Sequence, residues 1–163
     1  MRKNKKGFTL VELMVTVAVA AILLAVGVPS LTSIYEAIRV NNNIEKINNI
    51  LAFARNQAIS YGATVNVCVM KNGNACDTGA NWNKGIRIYT KDTNNVEHEL
   101  RTLDAFNVND KLKGPTAEIT FSPEGLSSSG TFIYCPGGKA NGSKSVTVSS
   151  SGLVSYATNN QSC

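Results

Sequence analysis

The sequence predicts an α+β fold, one long N-terminal helix packed on antiparallel β-sheets, and three observations predict it. An apolar run from Phe8 to Val28 contains a single charged residue, Glu12. A stripe of apolar residues at helical spacing then continues to Tyr61. Beyond Gly62 the hydrophobic period changes to two, in short runs separated by Gly-, Asn- and Ser-rich turns. The 163 residues suffice for one domain with an extension, not comfortably for two domains.

The first element is basic. Arg2, Lys3, Lys5 and Lys6 supply four of the sixteen Lys and Arg residues, so the segment after Gly7 holds twelve basic against eleven acidic side chains. The net charge of +5 therefore describes the first six positions and says little about partners. The twenty-one residues from Phe8 to Val28 follow. As a helix at ~1.5 Å per residue they reach about 30 Å, the thickness of a bilayer core. Basic residues flank this run only on its N-terminal side, which keeps Met1–Lys6 in the cytoplasm and exports the rest. A cleavable secretory signal would also start this way, with Ala25-Val26-Gly27 as a small-x-small site. Glu12 argues against it, because a carboxylate inside a membrane segment costs roughly 2.5–3.5 kcal/mol at mid-bilayer and a disposable signal gains nothing from it. A lipoprotein is excluded, since no cysteine stands directly after the apolar run.

The helix continues past the membrane-length run. Pro29 is expected to kink it and not to end it, because periodic sequence resumes at once. Ala37, Val40, Ile44, Ile47, Leu51, Ala54, Ala58 and Tyr61 alternate steps of three and four, which makes one apolar stripe, with Asn41, Asn42, Asn43, Glu45 and Lys46 mostly turned away. The stripe suits a helix lying across a sheet better than a coiled-coil seam, where short side chains zip weakly. Gly62 is the expected C-cap.

Seven strands are expected after it: Thr64–Met70, Gly85–Thr90, Val96–Leu103, Glu118–Phe121, Thr131–Cys135, Lys144–Ser149 and Leu153–Ala157. Turns such as Asn72-Gly73 and Ser149–Gly152 separate them. One helix followed by short strands reads as a helix packed on antiparallel sheet.

Cys68, Cys76, Cys135 and Cys163 all lie beyond the apolar run, an arrangement that suits two disulfides in an oxidising compartment. Three pairings are possible. Cys68–Cys76, closing a local loop, and Cys135–Cys163 are favoured, the second contributing roughly 3–4 kcal/mol in the chain-entropy model. No CxxC or paired Cys/His spacing exists and His98 is the only histidine, so no metal and no cofactor are expected. His98 reads as a solvated strand residue. One histidine and no clustered carboxylates supply neither a triad nor an acid/base pair, so the protein is not expected to be an enzyme. Gly137-Gly138-Lys139 and Gly142-Ser143-Lys144 are turns, too short for a phosphate loop.

The informative motif is Lys5-Lys6-Gly7-Phe8-Thr9-Leu10-Val11-Glu12-Leu13. It resembles the prepilin signature: a basic leader, glycine before the cut, phenylalanine first in the mature chain and glutamate fifth. The resemblance implies a pilin-like fold, cleavage between Gly7 and Phe8 by a prepilin peptidase, and N-methylation of Phe8. Each residue also has a physical reason. Gly7 lets an extended backbone enter a protease cleft, and Glu12 sits one helical turn from the new amine of Phe8. In an apolar filament core an unpaired carboxylate and an unpaired amine are each costly, so pairing Glu12 with the amine of Phe8 sets subunit register.

The domain narrows the resemblance. Asn81-Trp82-Asn83-Lys84-Gly85-Ile86-Arg87-Ile88-Tyr89 and Ile119-Thr120-Phe121-Ser122-Pro123-Glu124-Gly125, with Cys135 ending a strand and Cys163, are similar to the GspH/FimT/FimU group of minor pilins and pseudopilins. Trp82 is expected to anchor the core, not a ligand. The implied layout is a leader at 1–7, a transmembrane and filament-core helix at 8–28, its continuation on the domain at 29–61, and a disulfide-bonded β-rich head at 62–163. Implied partners are the prepilin peptidase, other minor pilins and the major pilin. The implied location is the bacterial inner membrane, with a periplasmic head, and then a pilus or pseudopilus. Members of the group that take up DNA carry Gly-Arg-x-Arg in the C-terminal hairpin. The matching positions here are Gly152-Leu153-Val154-Ser155, and no basic residue follows Lys144. This argues against DNA as a partner and gives no DNA-binding residues, because a backbone-binding patch needs clustered cations. The first expectation is a minor pilin that initiates or caps a type IV pilus. The second is a minor pseudopilin of a type II secretion system, and the third a DNA-binding minor pilin for uptake.

Overall fold

The computed structural model of the protein describes residues 7–71, 75–77 and 79–163. Met1–Lys6, with its basic side chains, and the expected Asn72-Gly73 turn lie outside the described residues. Helix α1 runs from Leu10 to Tyr61, and Pro29 does not end it. The chain divides into two units, Met1–Ala37 and Ile38–Cys163, so α1 contributes to both.

In the first unit the described side chains from Phe8 to Ala37 are exposed. The run is apolar all round, so burying one face would leave the others in water; such a helix needs an apolar medium. It is long and apolar enough to cross a membrane.

In the second unit the sequence stripe becomes the contact face of α1. Val40, Ile44, Ile47, Leu51, Ala54 and Ala58 are buried, joined by Ile50. The two ends of the predicted stripe are not part of it: Ala37 and Tyr61 are exposed, because the periodicity outruns the sheet it packs on. Gly62 takes φ of +60° and lets the Ala63 N–H reach back to the Ala58 carbonyl at 3.2 Å, a Schellman-type stop.

Among the described residues nine strands follow: β1 (Val65–Lys71), β2 (Ala75–Asp77), β3 (Ile86–Lys91), β4 (Glu97–Leu103), β5 (Lys111–Lys113), β6 (Ile119–Phe121), β7 (Gly130–Cys135), β8 (Lys144–Val148) and β9 (Val154–Tyr156). The pairings among these strands are antiparallel. One sheet has the order β2-β1-β3-β4, with β6 sharing an edge of β1 with β2; the other has the order β5-β7-β8-β9. The sequence reading lacks β2 and β5. Each is three residues long, too short to display a period of two.

Alternation decides which faces meet α1. Val65, Val67 and Val69 pair with Thr90, Ile88 and Ile86, and the five apolar residues are buried. Phe132, Tyr134, Val146 and Val148 do the same from the second sheet. Trp82 closes the core in a short 3₁₀ turn, Trp82–Lys84. Its ring meets Phe132 edge-on at 4.8 Å, and its indole N–H donates to the Pro115 carbonyl at 2.8 Å. The structure gives it the role of a satisfied core anchor.

Candidate functional site

Gly7 and Phe8 precede α1 without regular structure, and Phe8 is exposed. The start of α1 is a reciprocal cap. The Thr9 hydroxyl accepts the Glu12 N–H at 3.2 Å, while Glu12 Oε2 accepts the Thr9 N–H at 3.2 Å and the Thr9 hydroxyl at 3.1 Å. This is the capping box, which satisfies helix-start donors that have no partner inside the helix. Among the described residues, Glu12 Oε1 accepts no hydrogen bond, so the carboxylate is held in one orientation with an oxygen to spare. Thr9 had no role in the sequence reading, although the pattern Thr-x-x-Glu ahead of an apolar run is the signal that finds it.

A second polar group lies where α1 enters the head. The guanidinium of Arg39 grips Asp110 with both arms, Nε at 2.7 Å and a terminal nitrogen at 2.9 Å. The Asp110 side chain is fully buried. It also accepts the Tyr134 hydroxyl at 2.7 Å and the Gly137 N–H at 2.9 Å. Asn43 donates to the same hydroxyl at 2.7 Å. Burial alone would raise the carboxyl pKa, but Arg39, the Gly137 N–H and Tyr134 together hold it below the ordinary aspartate value. Burial and the adjacent carboxylate push the Tyr134 phenol upward. The group ties two turns of α1 to β7 and the turn after it. Nothing in the sequence announces it, since Arg39 and Asp110 stand 71 positions apart.

The four cysteines form two disulfides. Cys68–Cys76 links β1 to β2, and Cys135–Cys163 holds the segment after β9 against β7. Cys68, Cys76 and Glu118 lie close together, but both sulfurs are disulfide-bonded and offer no thiolate to a metal. His98 sits on the exposed strand β4, 3.1 Å from Asp92.

The hairpin between β8 and β9 turns at Gly152. Leu153 and Ser155 are exposed at the positions where an arginine pair would stand. Arg55 lies nearby, donating to the carbonyls of Gly125 at 3.2 Å and Ser151 at 3.4 Å.

Residues 43–152 of the 163-residue chain match the family described as type II transport protein GspH. Residues 2–28 match the prokaryotic N-terminal methylation motif. Among solved structures, the fold is similar to the type IV minor pilin FimU of Pseudomonas aeruginosa. The TM-score is 0.61 at 22% identity, over 75% of this chain and 90% of that one. It is also similar to the minor pseudopilin EpsH from the type 2 secretion system of Vibrio cholerae. There the TM-score is 0.57 at 10% identity, over 73% of this chain and 96% of that one. No curated protein sequence matches the chain.

Proposed function

The chain belongs to the family of the type II transport protein GspH, and from that premise we propose that it is a minor pilin that helps to initiate or cap a type IV pilus. The observation that carries the reading is the N-terminus: an exposed apolar helix that matches a methylation motif and carries one carboxylate, Glu12, oriented by Thr9. In this reading the prepilin peptidase cuts between Gly7 and Phe8 and methylates the new amine of Phe8. The segment 8–28 holds the precursor in the inner membrane, with 29–61 continuing into the periplasmic head at 62–163. In the filament, Glu12 pairs with an N-terminal amine through its spare oxygen. Charge neutralisation in an apolar core then favours one axial register over others. Other minor pilins and the major pilin are the partners.

The second reading is a minor pseudopilin of a type II secretion system, favoured by the family's own description and by the likeness to EpsH. Both readings use the same anchor and the same charge pair. Intact-mass measurement of membrane-extracted protein tests what they share: the mature chain should begin at Phe8, carry one added methyl group and retain the apolar segment. A terminus at Val28 would replace both readings with a cleaved secretory signal. Deleting pilus-assembly and secretion-system genes separately, and asking which loss strands the chain in the membrane, separates one reading from the other.

A further inference from the structure

Each disulfide joins an inner sulfur to an outer one. Cys68 on β1 and Cys135 on β7 are buried, on strands with neighbours on both sides. Cys76 on β2 and Cys163 at the chain end are each half-buried, so a thiol from solvent reaches either bond at its outer sulfur. The groups around the sulfurs differ. Sγ of Cys163 faces the carbonyl oxygens of Lys111 and Ile133, both at 3.6 Å, and Sγ of Cys135 faces the Gln161 carbonyl at 3.7 Å. Sγ of Cys76 faces a cation instead, a terminal nitrogen of Arg87 at 3.7 Å. Arg87 is buried, and Glu97 at 2.7 Å and Glu99 at 3.2 Å hold its guanidinium in place. Lys91 lies 3.7 Å from Glu97, and Asp77, next to Cys76, pairs with Lys84. The opposing charge is Glu118, which has a carboxylate oxygen within 4.8 Å of both sulfurs and accepts the Tyr89 hydroxyl at 3.0 Å.

We propose that Cys68–Cys76 is the exchange-reactive disulfide of the folded head, that an external thiolate enters it at Cys76, and that Arg87 assists the attack. The co-reactant is a thiol reductant. Its thiolate bonds to Sγ of Cys76 as the Cys68–Cys76 bond breaks, and Cys68 leaves with the electron pair and takes a proton from water. A second thiolate then attacks the reductant's sulfur in the mixed disulfide and releases Cys76 as a thiol. Two electrons pass to the cysteine pair, and two external thiols become a disulfide. Negative charge is carried in by the nucleophile and spread over the sulfurs during attack, so the flanking groups decide the rate. At Cys76 the guanidinium of Arg87 stabilises that charge, as a cation does beside a reactive thiolate. At Cys163 the oxygens of two carbonyl dipoles oppose it. Access is similar at the two outer sulfurs, which leaves electrostatics to separate them. Loop length acts in the same direction: Cys68 and Cys76 are 8 positions apart and Cys135 and Cys163 are 28, so opening the first bond releases less chain entropy.

The test uses the full chain in detergent without denaturant. Dithiothreitol is added, aliquots are alkylated over time, and peptide mass spectrometry reads which cysteines have opened. Cys68 and Cys76 should be alkylated about tenfold faster than Cys135 and Cys163. A parallel arm uses 2-mercaptoethanol with an acid quench, which traps the mixed disulfide; the adduct should sit on Cys76, with Cys68 free. Arg87→Gln should slow the opening of Cys68–Cys76 several-fold, and Arg87→Lys should restore part of the rate. A purely structural role for Arg87 has the opposite sign, because a loosened β2 would expose the bond and speed its reduction. Glu118→Gln should raise the rate, since it removes the charge that opposes the incoming thiolate. Trp82 fluorescence checks that each variant keeps its fold; where Arg87→Gln does not, the adduct on the parent chain and the Glu118→Gln rate decide. Equal or faster opening of Cys135–Cys163, an adduct on Cys68, faster reduction of folded Arg87→Gln, or slower reduction of Glu118→Gln would each overturn the proposal.

Discussion

Glu12 meets two demands at once. It is a carboxylate in an apolar segment, and it is the third helical residue after a threonine cap, so Thr9 both relieves its isolation and fixes its orientation. Glu12→Ala should insert into the membrane at least as well as the parent, because a buried charge is removed. Its recovery in filaments should collapse, because the amine of the neighbouring N-terminus loses its partner. Fractionating membranes and sheared filaments from the same cells checks both halves, and normal filament recovery would remove Glu12 from assembly. Thr9→Val should give a milder defect, since the carboxylate remains but is no longer held. Asp110 poses a problem of a different kind. Its pKa lies below the ordinary carboxylate value in the fold, so its stabilising effect is complete above about pH 4 and disappears as the pH falls through the lowered folded value. Asp110→Asn should lower stability by about 3 kcal/mol near neutrality, the scale for breaking a buried pair and stranding its partner. It should also flatten the acid limb of the stability profile. Denaturation of detergent-extracted protein, followed through the single buried Trp82, reads both. Of these residues the sequence marks Glu12 by its setting, whereas Asp110 looks like any acid in an Asn-rich turn until folding brings Arg39 to it.

At the scale of elements, the segment after β9 shows what holds the second sheet closed. It crosses the sheet by hydrogen bonds from Ser145 Oγ to the Thr158 carbonyl at 2.6 Å and from Ser143 Oγ to the Gln161 carbonyl at 2.9 Å, then ends in the Cys135–Cys163 bond. Ser143 and Ser145 are buried beneath it, so a loosened segment would leave two hydroxyls to water and uncover the β7–β8 pair. Replacing Cys135 and Cys163 together by serine should cost about 3–4 kcal/mol, and replacing Cys68 and Cys76 about 2–3, because the second loop is shorter. Equal losses in a denaturant titration would mean that chain entropy is not the main term. The turn beside this segment is more brittle still. Gly152→Ala should lower stability by a few kcal/mol, because an L side chain there meets both an unfavourable φ and the Gly125 carbonyl. Longer strands were legible because β1, β3, β7 and β8 each expose enough alternation to declare a buried face. β2 and β5 were not, since their existence follows from partners: β2 from its register with Met70 and its neighbours, β5 from Tyr134 opposite Leu112.

For the whole molecule, the change from helical to alternating periodicity near Gly62 makes the α+β arrangement readable. The grouping of strands into two sheets is not readable, because sheet order depends on long-range pairing such as β6 with β1. The same distinction separates what charge says from what folding could add. The chain beyond Gly7 is nearly neutral, and the β8–β9 hairpin carries Leu153 and Ser155 where cations would be needed. Folding adds one cation at its turn, Arg55, oriented by the carbonyls of Gly125 and Ser151, which is one charge and not a cluster. Binding to duplex DNA depends on the number of phosphates neutralised, and each one contributes close to one unit of slope in log affinity against log salt. The chain beyond Gly7 should therefore bind duplex DNA no better than micromolar at physiological salt, with a shallow salt slope. Leu153→Arg with Ser155→Arg should raise the affinity and steepen the slope by about two units if the hairpin presents both side chains to a phosphate backbone. Mobility-shift titrations across a salt series measure both quantities on the parent and the variant. Tight, steeply salt-dependent binding by the parent would mean that cations distant in sequence assemble a patch on the folded surface, and would move DNA uptake ahead of filament initiation. A variant that gains charge without gaining affinity would instead mean that this turn is shaped for contacts other than phosphate.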